Sequence, residues 1–300
     1  MSIVADEIAT QPALWRRAAS LAGEVADVLP RPGERVCIVG CGTSLYMARA
    51  AAALRESAGD GEADAFAASE VPESRSYDVL VAISRSGTTS EVRHALERVQ
   101  AGRTLALTLA GTPVAAAAEA VVDLAFADER SVVQTRFATT ALALLRAYVD
   151  ADAVARAADD AERALSLPLP VDLVDHGEQW TFLGRGWSAG LAEEAALKLR
   201  EAAQAWTEAY PVFEYRHGPI AIAAPGRVVW ALAPLDAAIA AQIRATGATL
   251  VAPELDPAAS LVLAQRTAVA LAEARGLDPD APRNLTRSVV LSDEELEVLT

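Results

Sequence analysis

At residues 79–89 the chain reads VLVAISRSGTT. Val79 to Ile83 is an unbroken apolar run, the composition of a strand buried on both faces of a parallel sheet. Past it, Ser84-Arg85-Ser86-Gly87-Thr88-Thr89 leads into SEVRHALERVQAG. There Val92, Leu96 and Val99 recur at helical spacing, and Gly102 is expected to stop the helix. Four hydroxyls, an arginine and a glycine therefore crowd the point where a strand hands over to a helix.

The same unit repeats outward from this stretch. Upstream, an amphipathic helical region ends at Pro30, and RVCIVGCGTSLYMARAAAALRE then runs from an apolar strand through Gly40-Cys-Gly42-Thr-Ser44 into a helix. Downstream, TLALTLAG is a third strand, Pro113 to Ala120 a helix, VVDLAF a further strand and SVVQTRFATTALALLRAYV a long helix. Strands alternating with helices predict an α/β fold, a parallel sheet covered on both faces. The pattern then restarts: VCIVGCGTS at 36–44 matches WTFLGRGWS at 180–188, with both glycines and the serine in register. TLAL at 104–107 likewise matches TLVA at 249–252. Leu165-Ser-Leu-Pro-Leu-Pro170 reads as a stiff linker between two similar units, residues 1–167 and 168–300. In the second copy VVWALAPLD stands where VLVAISRSG stood, without the hydroxyls, so the two units have divided their tasks.

Composition narrows the class of function. With 300 residues, 52% hydrophobic and 22% charged, the chain is globular and long enough for a substantial core. Its net charge of -15 argues against nucleic acid or an anionic membrane as partner. The N-terminus, with Asp6 and Glu7, lacks the apolar core of a secretion signal, and the longest uncharged stretch is too short to span a bilayer. A soluble, cytoplasmic protein is expected. Cys37 and Cys41, the two cysteines, are a poor disulfide pair across a strand end and have no histidine nearby for a metal, so they are expected to pack as structural residues. Of 26 basic residues all but Lys198 are arginine. A position that keeps lysine points to a need for a compact ammonium with an adjustable pKa.

A strand-to-helix turn at the carboxyl edge of a parallel sheet is where such folds bind ligands. The helix start offers unpaired N–H groups and partial positive charge, which suit a phosphate. One N-cap needs one hydroxyl; Ser84, Ser86, Thr88 and Thr89 are four, with Thr43 and Ser44 at the end of the neighbouring strand. A phosphate ester is the expected ligand. A dinucleotide is a weaker fit, because GCGTSL lacks the third glycine of that fingerprint, and a nucleoside triphosphate loop of GK[ST] type is missing.

With these residues in hand, the sequence resembles the sugar isomerase (SIS) domain family. VGCGTS, AISRSGTTSEV and ERSVVQTRFATT are similar to its first half. GRGWSAGLAEEAALKLREAAQAWTEAYPVFEYRHGP and PRNLTRSV are similar to its second. Over residues 35 to 290 the nearest likeness is to the isomerase part of glucosamine-6-phosphate synthase and to glutaminase-free amino-sugar-phosphate deaminases and isomerases. The resemblance implies two tandem SIS subdomains of flavodoxin-like fold. It implies that Ser44, Ser84, Arg85, Ser86 and Thr89 hold the phosphate, while Gly42, Thr43, Val132 and Gln134 line the sugar. Arg85 stands where the synthase has a neutral amide. Glu201 matches the carboxylate that shuttles a proton between C1 and C2, and Lys198 the lysine beside it. His217 matches the ring-opening residue. Arg287 stands where the synthase has its imine-forming tail lysine, and is expected to close over the sugar phosphate as a positive lid. No glutaminase segment is visible, so glutamine is not the expected nitrogen donor. His94 and His176 are expected at the surface. The expectation is an aldose–ketose isomerase or deaminase of a hexose or hexosamine 6-phosphate, without cofactor or metal, working as a homodimer with shared sites. The competing reading is a non-catalytic, sugar-phosphate-binding regulator.

Overall fold

The apolar run that leads into the hydroxyl loop is a strand whose last five residues are all buried inside a parallel sheet. In the computed structural model residues 2–72, 74–169, 171–292 and 294–295 are described. In chain order these are α1 (Ile3–Ala9), α2 (Gln11–Glu24), β1 (Val36–Gly40), α3 (Thr43–Ala58), β2 (Ala63–Ala67) and β3 (Ser76–Ile83). There follow α4 (Ser90–Arg98), β4 (Gln100–Thr108), α5 (Pro113–Ala117), β5 (Ala120–Asp123), α6 (Arg136–Val149), α7 (Ala151–Ser166) and α8 (Val171–His176). The second half adds β6 (Gln179–Gly184), α9 (Ser188–Ala203), β7 (Trp206–Pro211), β8 (Arg227–Ala231), α10 (Ala237–Ala245), β9 (Thr249–Val251) and α11 (Pro257–Ala274).

Two parallel sheets result, ordered β2-β1-β3-β4-β5 and β7-β6-β8-β9. The first has the flavodoxin-like order, and the second repeats its first four places. The repeat extends to the glycines. A Cβ on Gly40 would lie 2.7 Å from Ser44, and one on Gly184 would lie 2.2 Å from the Ser188 carbonyl. Gly42 (φ +54) and Gly186 (φ +55) then turn each chain into its helix in a conformation that favours glycine. The matching GCG and GRG stretches thus follow from close strand–helix packing.

By its contacts the chain forms two compact units of interleaved segments. Ala13–Arg130, Gln134–Val154 and Thr286–Thr300 make the unit that holds the first sheet. Met1–Pro12, Ser131–Val133 and Ala155–Leu285 make the unit that holds the second. The first sheet packs its β3 face with Leu80 and Ala82 against Val92, Leu96 and Val114. In the other unit Leu183, Val229, Ile239 and Ile243 surround Tyr215. Of the expected linker, Leu165 and Ser166 close α7, and Pro170 lies outside the described residues. Among the described residues no helix is long and apolar enough to cross a membrane.

Of the boundaries that differ from the sequence-based expectation, two have a cause in named contacts. Gly102 does not end a helix but lies within β4, where a Cβ would meet the Asp78 carbonyl at 3.0 Å. The helix has already stopped at Arg98, because Val99 is extended and feeds straight into the strand. The long helix expected from Ser131 begins only at Arg136. Glu129 Oε1 accepts from the Thr135 and Arg136 amides at 2.6 and 2.8 Å and from the Thr135 hydroxyl at 2.8 Å, which holds the preceding SVVQT segment off the helix axis. His94 is half-buried, not on the surface, while His176 is exposed.

Candidate functional site

In the unit of the first sheet, the order of strands reverses between β1 and β3, and Val39 pairs with Ala82 there. The turns after both strands therefore leave one edge side by side, at the place where such sheets bind ligands. Thr43 and Ser44 open α3 and are buried beneath the exposed Gly42. Ser84 and Arg85 are buried as well. Ser84 Oγ accepts from the Gly87 amide and Ser86 Oγ from the Thr88 amide, each at 3.2 Å. Ser86 and Thr89 place their hydroxyls 3.3 Å apart. A Cβ on Gly87 (φ +64) would fall 2.2 Å from Thr112 Oγ1, so only glycine passes this turn. Thr89 occupies the N-cap of α4, yet its side chain makes no cap hydrogen bond. Helix capping thus leaves the Thr89 hydroxyl unexplained. Gln134 adds a buried Nε2 that has no hydrogen-bond partner.

The tail lies on this same loop. Ser288 Oγ is 2.8 Å from Thr88 Oγ1 and 3.2 Å from Ser86 Oγ. The Arg85 guanidinium donates to the Arg287 carbonyl at 2.8 Å, and the Leu291 amide donates to Ser90 Oγ at 3.0 Å. Arg287 turns its own guanidinium to Asp128 Oδ1, 2.5 Å away, and to the Glu129 carbonyl. Nearby thiols are held protonated. Burial, then the neighbouring Asp64, pushes Cys37 up to about 12, and burial followed by Glu91 pushes Cys41 up to about 11.

In the unit of the second sheet, α9 carries Glu194, Lys198 and Glu201 at helical spacing on one face. Such trios are ordinarily solvated, but here Lys198 is 1% exposed and Glu194 fully buried. Lys198 Nζ lies 3.4 Å from Glu194 Oε1 and donates a hydrogen bond to Glu201 Oε2. Glu201 keeps 18% of its side chain exposed. Two carboxylates thus share one ammonium, and only one of them reaches the surface. His217 is exposed and follows a 3-10 turn, Glu214–Arg216, after β7. Val132, half-buried, belongs to this unit by contacts, while Gln134 belongs to the other.

The structure therefore joins Lys198 to Glu201 and Ser86 to Thr89, and holds Ser84 on the Gly87 amide of the same loop; His217 lies on the loop after β7. Sequence reasoning did not find Ser288, Glu208 or Tyr215. Ser288 falls inside the quoted PRNLTRSV, but nothing in a linear reading pairs it with hydroxyls 200 residues away.

Comparison with known proteins bears on the domain type and the fold. Residues 31–151 match the family model of the SIS domain. The chain is 29% identical, over 95% of its length, to the glutamine–fructose-6-phosphate aminotransferase (isomerizing) of Aeropyrum pernix. It spans only 54% of that relative, about half the length of the curated proteins it matches. The glucosamine-6-phosphate deaminase structure from Thermotoga maritima superposes with a TM-score of 0.83 at 23% identity, covering 97% of this chain and all of that one. The C-terminal domain of the glucosamine-fructose-6-phosphate aminotransferase from Francisella tularensis gives 0.77 at 21% identity, covering 94% and 98%. Over residues 31–151 the chain thus matches the SIS domain, and as a whole it shares the doubled α/β fold of these two structures.

Proposed function

We propose that the protein interconverts aldose and ketose forms of a hexose 6-phosphate, with a hexosamine 6-phosphate and release of ammonia as the favoured case. The observation that carries this reading is the burial of Lys198, the sole lysine, between two carboxylates of which Glu201 alone stays accessible. A carboxylate held at fixed geometry beside a cation suits a proton shuttle between adjacent carbons. Glu201 takes the proton from C2 of the aldose, leaving an enediolate, and returns it to C1 while the hydroxyl proton passes from O2 to O1, which gives the ketose. For an amino sugar the same transfer yields an imine at C2, which water cleaves to ketose and ammonia. His217 opens the sugar ring, its two ring nitrogens able to give and to take a proton.

The phosphate is assigned to Ser44, Ser84, Arg85, Ser86 and Thr89. The uncapped Thr89 and the start of α4 support this, because N-terminal amides and hydroxyls together favour an anion. Gly42, Thr43, Val132 and Gln134 are assigned to the sugar, and the unpartnered Gln134 Nε2 offers a donor for one of its hydroxyls. Arg287 is assigned to the lid over the phosphate. The protein is read as a cytoplasmic homodimer in which His217 serves the neighbouring subunit's site. Mixing Glu201→Gln with His217→Ala subunits tests that arrangement. Hybrid dimers with one intact site regain activity if sites are shared, and proven exchange without recovery returns His217 to its own chain.

The test of function is a panel of hexose and hexosamine 6-phosphates, followed for ketose and for ammonia. Turnover of at least one member is expected. Binding without any turnover would replace the enzyme with a regulatory sugar-phosphate sensor.

A further inference from the structure

Two polar atoms beside the histidine loop have no partner. Tyr215 is fully buried, yet its hydroxyl makes no hydrogen bond. Glu208 Oε2 is also enclosed and unbonded. Glu208 and Tyr210 alternate on one face of β7, and the Tyr210 ring centroid lies 6.2 Å from that of Tyr215; burial and then the Glu208 carboxylate push the Tyr215 phenol up to about 12. Tyr210 is raised by burial, by the charge of the same carboxylate and by a side-chain hydrogen bond to it, which leaves Oε2 as the oxygen of Glu208 without a bond. A buried donor and a buried acceptor left unmade are both penalised, and phenylalanine would fill the Tyr215 site without that penalty.

The supports of the two groups differ. Glu208 is fixed on β7, where it pairs with Thr181 of β6. Tyr215 sits in the 3-10 turn that ends at His217, two residues on. Behind His217 comes Gly218 at φ +134, where a Cβ would meet nothing within 4 Å. Gly218 answers to backbone freedom, not to lack of space, which is what a hinge requires. The acceptor is thus held on a strand, while the donor is carried on a short turn that a glycine of unrestricted backbone follows.

We propose that Tyr215 is a positioning residue for His217: in a second state of the Val212–Gly218 loop its hydroxyl donates to Glu208 Oε2, and that bond aims the imidazole. This rests on the reading of His217 as the ring-opening group. Pairing the orphaned atoms stabilises the working state of the loop relative to the one described above. Tyr215 therefore acts through His217 and touches no substrate.

The experiment compares wild type with Tyr215→Phe on two substrates. One is the hexose 6-phosphate turned over best; the other is its 4,5-dideoxy analogue, which has no hydroxyl able to close a ring. Expected is a loss of about tenfold or more in kcat on the ring-closing sugar, with the open-chain analogue unaffected and the melting temperature not lowered. Equal losses on both substrates, or no loss on either, overturn the proposal. The same pair of proteins is compared by NMR without substrate, where His217 is one of three histidines. A shifted His217 imidazole signal in Tyr215→Phe, and the same shift in Glu208→Ala, is expected. An unmoved signal overturns the proposal even if wild type turns over nothing, an outcome that by itself removes the functional reading.

Discussion

Ser288 Oγ lies 2.8 Å from Thr88 Oγ1 and 3.2 Å from Ser86 Oγ, so the tail occupies hydroxyls of the loop assigned to the phosphate. A phosphate that takes Ser86 displaces this contact. A neutral hydrogen bond contributes about 0.5–1.5 kcal/mol net. Ser288→Ala is therefore expected to tighten sugar-phosphate binding by about two- to tenfold, read by calorimetry. Weaker binding in that variant would make Ser288 a phosphate ligand in its own right.

The buried ion cluster on α9 makes a prediction about stability. Lys198→Met removes the ammonium that lies 3.4 Å from the fully buried Glu194 carboxylate. Removing one partner of a buried pair costs about 3–5 kcal/mol. The double variant Lys198→Met with Glu194→Leu should recover most of that loss, because apolar replacement of a buried pair is often neutral. Urea unfolding measures both. A single variant within about 1 kcal/mol of wild type would contradict burial of the pair.

Alkaline pH should destabilise the fold. Cys37, Tyr77 and Tyr215 are raised to about 12 and Cys41 to about 11, chiefly by burial, from ordinary values of 9.0 for the thiols and 10.0 for the phenols. Above pH 9 the unfolded chain loses protons that the folded chain keeps, so fewer protons are bound when unfolded and stability falls as pH rises. The contribution is complete below pH 9 and is lost towards pH 11–12. The urea midpoint measured from pH 8 to 11 should decline, and Cys37→Val should flatten the decline. A constant midpoint over that range would contradict the burial of these groups.

The buried strands and the repeat of the unit were legible because apolar runs such as Val79–Ile83 end in glycine or hydroxyl turns, and because WTFLGRGWS repeats VCIVGCGTS. The packing of Gly40 on Ser44 and Gly184 on Ser188 shows why that repeat survives. Less was legible where distant residues decide the outcome. Glu129 stops α6 short of Ser131 through side-chain bonds to Thr135 and Arg136, which no helical period registers. Gly102 looked like a helix stop because glycine serves both as a cap and at close strand contacts. The Lys198 cluster has the spacing of a solvated helix face, and only the packing around α9 makes it a buried one. The tail contact of Ser288 spans 200 residues and leaves no local trace.

The proton shuttle is tested most directly by incubating wild type and Glu201→Gln with the hexose 6-phosphate in D₂O and following deuterium at C1 and C2 by NMR. Wild type should incorporate solvent deuterium during turnover. Glu201→Gln should bind the sugar yet exchange more slowly by on the order of 10²–10⁴, because the amide keeps the shape but cannot take the proton. Exchange at near wild-type rate in Glu201→Gln would remove Glu201 from the chemistry and with it the proposed mechanism.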